Sequence, residues 1–291
     1  MDFFGPLVVT TTTVTTFHVD AVAEYDLRSG KLLRLLAPRR SDSAWFAARG
    51  TTAVTPRCDG VLVVHRDGCQ VGELVGHTVP GGRPGQSFCG LELISDTVLV
   101  SLGADATLRR WDVATATLLN STRIDGGAEA VLGWHAGSSR LVISAPDTVS
   151  FVDPTSLAVL AKHGPFATTS GGWRAVTDGV FVGVSADPQR TGLLVRTGKS
   201  TVDEFIDTHD APKTVAIAAQ GAVAAIVGPR LVVRTAEGEV RQTTLATPLY
   251  EVAQAAFSPD GSVIIAQDAQ RGLRAIDVQS GRHVVEFERR V

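Results

Sequence analysis

Three residues whose side chains could carry out acyl transfer fall in one short stretch: His77, Ser101 and Asp105. A serine hydroxyl activated by an imidazole that a carboxylate orients is the working arrangement of a hydrolase. The same residue types have a non-catalytic use. A buried indole N–H, hydroxyl and imidazole each need a partner and can satisfy one another, and Trp111 follows Asp105 closely. The structural use accounts for Trp111 and for the spacing, which a triad does not. No catalytic residue is therefore expected.

Other chemistry is weaker still. The stretch Gly192-Leu-Leu-Val-Arg-Thr-Gly198-Lys199-Ser200 looks like a phosphate loop, but five residues separate its glycines where the motif needs four. It also leads into strand-like TVDEF rather than a helix, so a turn between strands is expected. His65 with Asp67, and Trp134 with His135, are isolated pairs, and no HxxH or HExxH spacing occurs among the seven histidines. Cys58, Cys69 and Cys89 are odd in number and match no zinc or redox spacing, so free buried thiols in a reducing compartment are expected. No metal ligand, cofactor-binding residue or cofactor is expected.

The elements that must position the candidate residues are strands. Thr97–Leu102 (TVLVSL) is apolar and β-branched, as suits a buried strand. Gly103-Ala-Asp105-Ala106 reads as a turn. Thr107–Val113 (TLRRWDV) alternates, with Arg109, Trp111 and Val113 on one side. Gly76-His77 lies upstream, with 33 residues between His77 and Trp111. Gly76-His77, Ser101, Asp105 and Trp111-Asp112 together resemble the WD-repeat family of β-propellers. The resemblance implies that His77, Ser101, Asp105 and Trp111 form a hydrogen-bonded structural tetrad.

Weaker copies of this unit recur. An Asp opening a short turn appears at Asp26, Asp112, Asp153 and Asp277, at separations of 86, 41 and 124 residues. These are two, one and three periods of about 42, and six periods require seven units. The fold class expected is all-β, a seven-bladed β-propeller of four-stranded antiparallel blades. The blades are placed at about 5–37, 44–75, 91–124, 128–163, 173–208, 214–245 and 252–289 of a single domain spanning 1–291. A β-sandwich rarely reaches about 28 strands, and β-helices have shorter periods. Phe257-Ser-Pro-Asp-Gly261 suits the turn joining the first two strands of such a blade, and His209 falls where the family's His precedes blade 6. Only blade 3 carries the whole tetrad; blade 1 has Tyr25-Asp26 in place of Trp-Asp. Blades 1 and 7 each own four strands, which leaves two alternatives: end-to-end closure of the ring, or a longer protein of which this is the first part.

Composition is compatible with a large core: 44% of the 291 residues are hydrophobic and mean hydropathy is +0.15. The net charge of −3 gives no support for a general nucleic-acid or acidic-membrane surface. MDFFGPLVV lacks a basic leader region, and no apolar run reaches the ~18 residues of a spanning helix, so an intracellular protein, nuclear or cytoplasmic, is expected.

On a propeller, the turns between second and third strands share one rim. They hold Arg57, Arg190, Arg230 and Arg271, a candidate partner-binding rim, interspersed with Asp59, Asp147, Asp187 and Asp268. The longer loops His77–Gly90 and His163–Gly172 fall on the same face. The resemblance implies a non-enzymatic protein–protein interaction scaffold, a subunit of a larger complex such as a ribonucleoprotein or ribosome-biogenesis assembly. Its expected partners are other proteins. RNA would be reached only indirectly or through a local patch, and neither a membrane nor a small-molecule substrate is expected. The alternative is a propeller enzyme or small-ligand binder using the central channel. That would need carboxylates, histidines or metal ligands at the inner ends of several blades, where GPLVV, LELIS, AVLGW, TVAIAA and VAQAAFS are mostly apolar.

Overall fold

A computed structural model describes residues 7–18, 21–38, 45–79, 88–125, 130–135, 138–166, 173–177, 179–185, 187, 191–197, 204–208, 212, 214–249, 252–268 and 272–287. The architecture is all-β: seven antiparallel blades arranged in a ring. Blade 1 holds β1 (Val8–Val9), β2 (Thr13–His18), β3 (Ala21–Asp26) and β4 (Leu32–Pro38). Blade 2 holds β5 (Ala47–Arg49), β6 (Thr52–Pro56), β7 (Leu62–Arg66) and β8 (Cys69–Leu74). Blade 3 holds β9 (Phe88–Leu93), β10 (Val98–Gly103), β11 (Thr107–Asp112) and β12 (Thr117–Arg123). Blade 4 holds β13 (Val131–His135), β14 (Arg140–Ser144), β15 (Val149–Val152) and β16 (Val159–His163). Blade 5 holds β17 (Arg174–Thr177), β18 (Val180–Val184), β19 (Gly192–Thr197) and β20 (Glu204–Asp207). Blade 6 holds β21 (Val215–Ile217), β22 (Val223–Arg234) and β23 (Val240–Leu249). Blade 7 holds β24 (Val252–Phe257), β25 (Val263–Asp268), β26 (Leu273–Asp277) and β27 (His283–Glu286).

In each sheet the strands pair in chain order, because short turns permit only antiparallel neighbours. Blade 6 fills its second and third strand positions with one twelve-residue element. The first half of β22 pairs with β21 (Val215↔Ala225) and the second half with β23 (Leu231↔Thr243). Gly228 (φ +56°) and Pro229 lie between the halves, a pair suited to a tight reversal. Blade 3 starts at Phe88, three residues before the expected Leu91. The register shifts between Leu102 and Gly103, which lengthens β9. Gly192–Thr197 of the phosphate-loop look-alike forms β19, and its Gly198, Lys199 and Ser200 lie outside the described residues.

The repeated turn has a simple cause. The Oδ1 of Asp26, Asp112, Asp153 and Asp277 accepts backbone N–H groups two or three residues ahead, at 2.6–3.2 Å. The fifth residue of each turn then takes a positive φ: Gly30, Ala116, Leu157 and Gly281. This turn also touches the preceding blade. A Cβ on Gly30 would lie 2.5 Å from the Glu286 carbonyl oxygen, and one on Gly281 2.8 Å from that of Thr244. In blade 4 the Ser156 carbonyl accepts a bond from Asn120 Nδ2 of blade 3.

Seven apolar clusters of described residues hold the ring, one at each interface between adjacent blades. The sides of each sheet are alternating side chains, so one face of a blade belongs to one seam and the other face to the next. Between blades 2 and 3, for example, Val54, Leu62 and Val64 pack on Leu91, Leu99 and Trp111. The seam between blades 7 and 1 is of the same kind: Ile265, Leu273, Ala275 and Phe287 meet Val14, Ala23 and Tyr25. Tyr25 and Phe287 pack edge to face at 5.8 Å. Thr16 Oγ1 donates to Gln267 Oε1 at 3.1 Å across the same seam. The ring closes by packing blade 7 directly on blade 1.

Candidate functional site

The four tetrad residues come from four places: His77 from the segment after β8, Ser101 from β10, Asp105 from the turn between β10 and β11, and Trp111 from β11. The register places Trp111 opposite Leu99 and Ser101 opposite Arg109, so indole and hydroxyl meet on a diagonal of one blade face. Trp111 Nε1 donates to Ser101 Oγ at 2.9 Å. Ser101 Oγ lies 2.7 Å from His77 Nε2, and His77 Nδ1 lies 3.0 Å from Asp105 Oδ1. With the Nδ1 proton donated to the carboxylate, Nε2 accepts from the serine hydroxyl, which in turn accepts from the indole. Asp105 also receives the Thr78 N–H at 3.0 Å, the Thr107 N–H at 3.1 Å and the Thr107 hydroxyl at 2.6 Å.

The electrostatics follow from these partners. Burial lowers the His77 pKa, against the opposing pull of Asp105, so the imidazole is held neutral. Burial opposes the charge on Asp105, but the bonds from Thr107, Thr78 and His77 outweigh it and hold the carboxyl at about 2. A side chain at Gly103 would collide with the hydrogen-bonded ring of His77, so that position requires glycine for lack of space; one at Gly76 would displace the end of the Arg109 side chain. Arg109 covers the indole at 5.9 Å. Ser101 is completely buried. A nucleophile without solvent access cannot meet a substrate, so this constellation serves the fold and not acyl transfer.

The other blades fill the Trp111 position, the residue that opens the third turn, with different chemistry. Blade 1 has Tyr25 and blade 2 has His65, whose Nε2 lies 3.1 Å from Thr55 Oγ1 in the geometry of the indole–serine pair. Blade 4 has Val152 and blade 7 has Ile276. Blade 5 has Arg196, which lies over the Phe166 ring at 5.4 Å. Blade 6 has Arg234, buried and paired with Glu204 of blade 5 at 3.2 Å. His209 lies outside the described residues.

Of the rim arginines, Arg190 and Arg271 also lie outside the described residues. Arg57 lies in the turn between β6 and β7, whereas Arg230 lies within β22, directly after the Gly228-Pro229 reversal, and pairs with Thr244 of β23. Arg57 is committed within its own blade, to Asp59 at 2.6 Å and Glu73 at 2.7 Å. Arg230 is half-buried. On the opposite face a cleft of about 400 Å³ opens between blades 7 and 1, floored by Leu27, Val263 and Val285 and edged by Arg28 and Asp260. Of the three free thiols only Cys89 is buried; Cys58 and Cys69, on or beside surface turns of blade 2, are exposed, against the expectation of burial. Among the described residues no group of three His, Cys, Asp or Glu side chains could hold a metal ion, and no helix is long and apolar enough to cross a membrane.

Two charges on innermost strands escape a reading of those strands as mostly apolar: Glu92 on β9 and Arg174 on β17. Neither makes a hydrogen bond or ion pair among the described residues. The signal was present in the sequence. Glu92, Gly133 and Arg174 are spaced 41 residues apart, the same interval that separates the turn residues Asp112 and Asp153.

No family model and no curated protein matches the sequence. Solved structures do match the fold. A chain of the mitotic checkpoint complex is similar at a TM-score of 0.69 and 13% identity, over 96% of this chain and 90% of that one. The WD40 β-propeller domain of Doa1 is similar at 0.62 and 13%, over 94% and 92%. Hsv2 of Kluyvelomyces marxianus is similar at 0.55 and 12%, over 82% and 79%. At these identities the likeness establishes the fold alone, a seven-bladed β-propeller.

Proposed function

We propose that this chain is a non-enzymatic protein–protein interaction scaffold that works as a subunit of a larger assembly. The observation that carries the proposal is an apolar belt on the outermost strands. Leu33, Val71, Leu118, Leu119, Val159, Leu160, Val240 and Val284 stand exposed on the fourth strands of six of the seven blades. Exposed branched side chains beside unpaired strand edges are the features a docking protein covers. Leu118 and Leu119 of blade 3 and Val159 and Leu160 of blade 4 occupy neighbouring blades, which makes that sector the centre of the surface. The rim bearing Arg57, Arg190, Arg230 and Arg271 is a second contact face on the same rigid ring. Membership of WD40-type propellers in complexes, as in the mitotic checkpoint complex, supports protein partners in general.

The test is affinity purification of tagged protein from its host, run beside a Leu119→Asp/Leu160→Asp variant and an Arg230→Ala variant. Loss of a stoichiometric partner set in the belt variant, with an unchanged unfolding midpoint, is the expected result. An identical partner set from the belt variant would refute the belt as the docking surface. A protein that co-purifies with nothing at low salt would refute the scaffold.

A further inference from the structure

The first strand of each blade lines the central channel of a propeller. Here these strands touch their counterparts in the neighbouring blades: β5 with β9, β9 with β13, β13 with β17, β21 with β24, and β24 with β1. Glu92, Gly133 and Arg174 hold one and the same position in three consecutive blades. Each lies opposite a valine of the seam with the following blade. Glu92 pairs with Val100 of the blade 3–4 seam, Gly133 with Val142 of the 4–5 seam, and Arg174 with Val182 of the 5–6 seam.

This position combines enclosure with access. Glu92 and Arg174 keep accessible surface although protein surrounds them, as expected of groups on a channel wall. A Cβ built on Gly133 meets no atom within 4 Å. The wall between the acid and the base is therefore open where any other residue would partly fill it. An acid and a base, neither with a partner among the described residues, flank an unfilled gap. Arg174 is exposed and Glu92 half-buried; an acid enclosed in this way without a partner is costly to ionise, and proteins seldom retain one without a use.

We propose that the channel at Glu92, Gly133 and Arg174 binds a small zwitterion of amino-acid size, its ammonium on Glu92 and its carboxylate on Arg174. The Arg174 guanidinium suits a carboxylate, which it can hold through two parallel N–H bonds. Glu92 accepts from an ammonium at the other end, and the bare backbone of Gly133 leaves room for the body of the ligand between them. This site is independent of the docking belt and departs from the expectation that no small molecule is bound. Burial pushes the empty-channel pKa of Glu92 up to about 8, so binding an ammonium there releases a proton near neutral pH.

Calorimetric titration of the full chain with glycine, β-alanine, γ-aminobutyrate and ε-aminocaproate tests the site. Acetate and methylammonium serve as single-charge controls, and the runs are repeated in buffers of different ionisation enthalpy. The expected result is that at least one zwitterion binds about tenfold or more tighter than either control, with release of a proton. Glu92→Gln and Arg174→Gln should each weaken it at least about tenfold, and Gly133→Val should abolish it with little change in the unfolding midpoint. Absence of binding by all four zwitterions overturns the proposal. So does equal binding of the controls, or affinity unchanged in both Glu92→Gln and Arg174→Gln.

Discussion

Replacing Ser101 by Ala removes one oxygen from a completely buried site and leaves two groups stranded. Trp111 Nε1, 2.9 Å from that oxygen, loses its acceptor, and His77 Nε2, at 2.7 Å, loses its donor. Each stranded group costs about 1–3 kcal/mol where water cannot reach it. The variant should therefore lose about 2–5 kcal/mol, a large share of the roughly 5–15 kcal/mol that separates folded from unfolded domains. Trp111→Phe removes the indole N–H along with its need for an acceptor and leaves the Ser101–His77 bond intact. The double variant then retains only one stranded group, His77 Nε2. The cycle should be non-additive, the double variant costing about 1–3 kcal/mol less than the sum of the singles. Urea unfolding followed by far-ultraviolet circular dichroism measures all four proteins without depending on tryptophan emission. A Ser101→Ala midpoint equal to that of the parent, or a strictly additive cycle, would refute the view that one shared hydroxyl satisfies both rings.

Two further outcomes follow from the geometry. Gly30→Ala places a Cβ at φ +70° and 2.5 Å from the Glu286 carbonyl, so it should cost about 2–5 kcal/mol from backbone strain and overpacking together; Gly261→Ala, at φ +73° with nothing nearer than 3.5 Å, should cost only about 1 kcal/mol, and similar thermal shifts for the two would contradict this. Asp105 is held at about 2 against an ordinary 3.8, so its contribution is complete above about pH 4 and is lost as pH falls toward 2. The shift corresponds to about 2 kcal/mol, and Asp105→Asn should flatten that part of the stability–pH curve; an unchanged acid limb in the variant would argue against it.

The period was legible because it is written in local chemistry. An Asp whose carboxylate bonds the backbone two and three residues ahead needs nothing from the rest of the chain, so Asp26, Asp112, Asp153 and Asp277 mark their turns in sequence. Blade 3 was legible for the same reason in part: Asp105 and Thr107 share one turn. What the sequence concealed is set across seams. Arg234 stands where Trp111 stands in blade 3, and what makes it acceptable there is Glu204, thirty residues earlier on another blade. Arg196 is made acceptable by the Phe166 ring. Such substitutions erase the repeat because the interface tolerates any side chain its neighbour can complement. The merging of two strands into β22 was hidden because Gly228-Pro229 leaves no room for a recognisable loop. The rim was half legible: the Arg57–Asp59 pair is two residues apart, but Glu73 reaches Arg57 from β8. Glu92 and Arg174 stand out only when the innermost strands are aligned at the 41-residue interval.

The seam between blades 7 and 1 is held, like the other six, by an apolar cluster, and, like the seam between blades 6 and 7, by a turn whose left-handed glycine presses on the neighbouring blade. A linear stack of repeats has two end units with one neighbour each, and these fray first. A circle has no ends. Every blade is flanked twice, so no blade can melt without exposing two apolar sides of its neighbours, and thermal unfolding should be a single all-or-none event. The same symmetry means that chain order and spatial order are separable. A circular permutant, cut within any loop between blades and joined through a flexible linker, recreates all seven seams and should fold to the same ring.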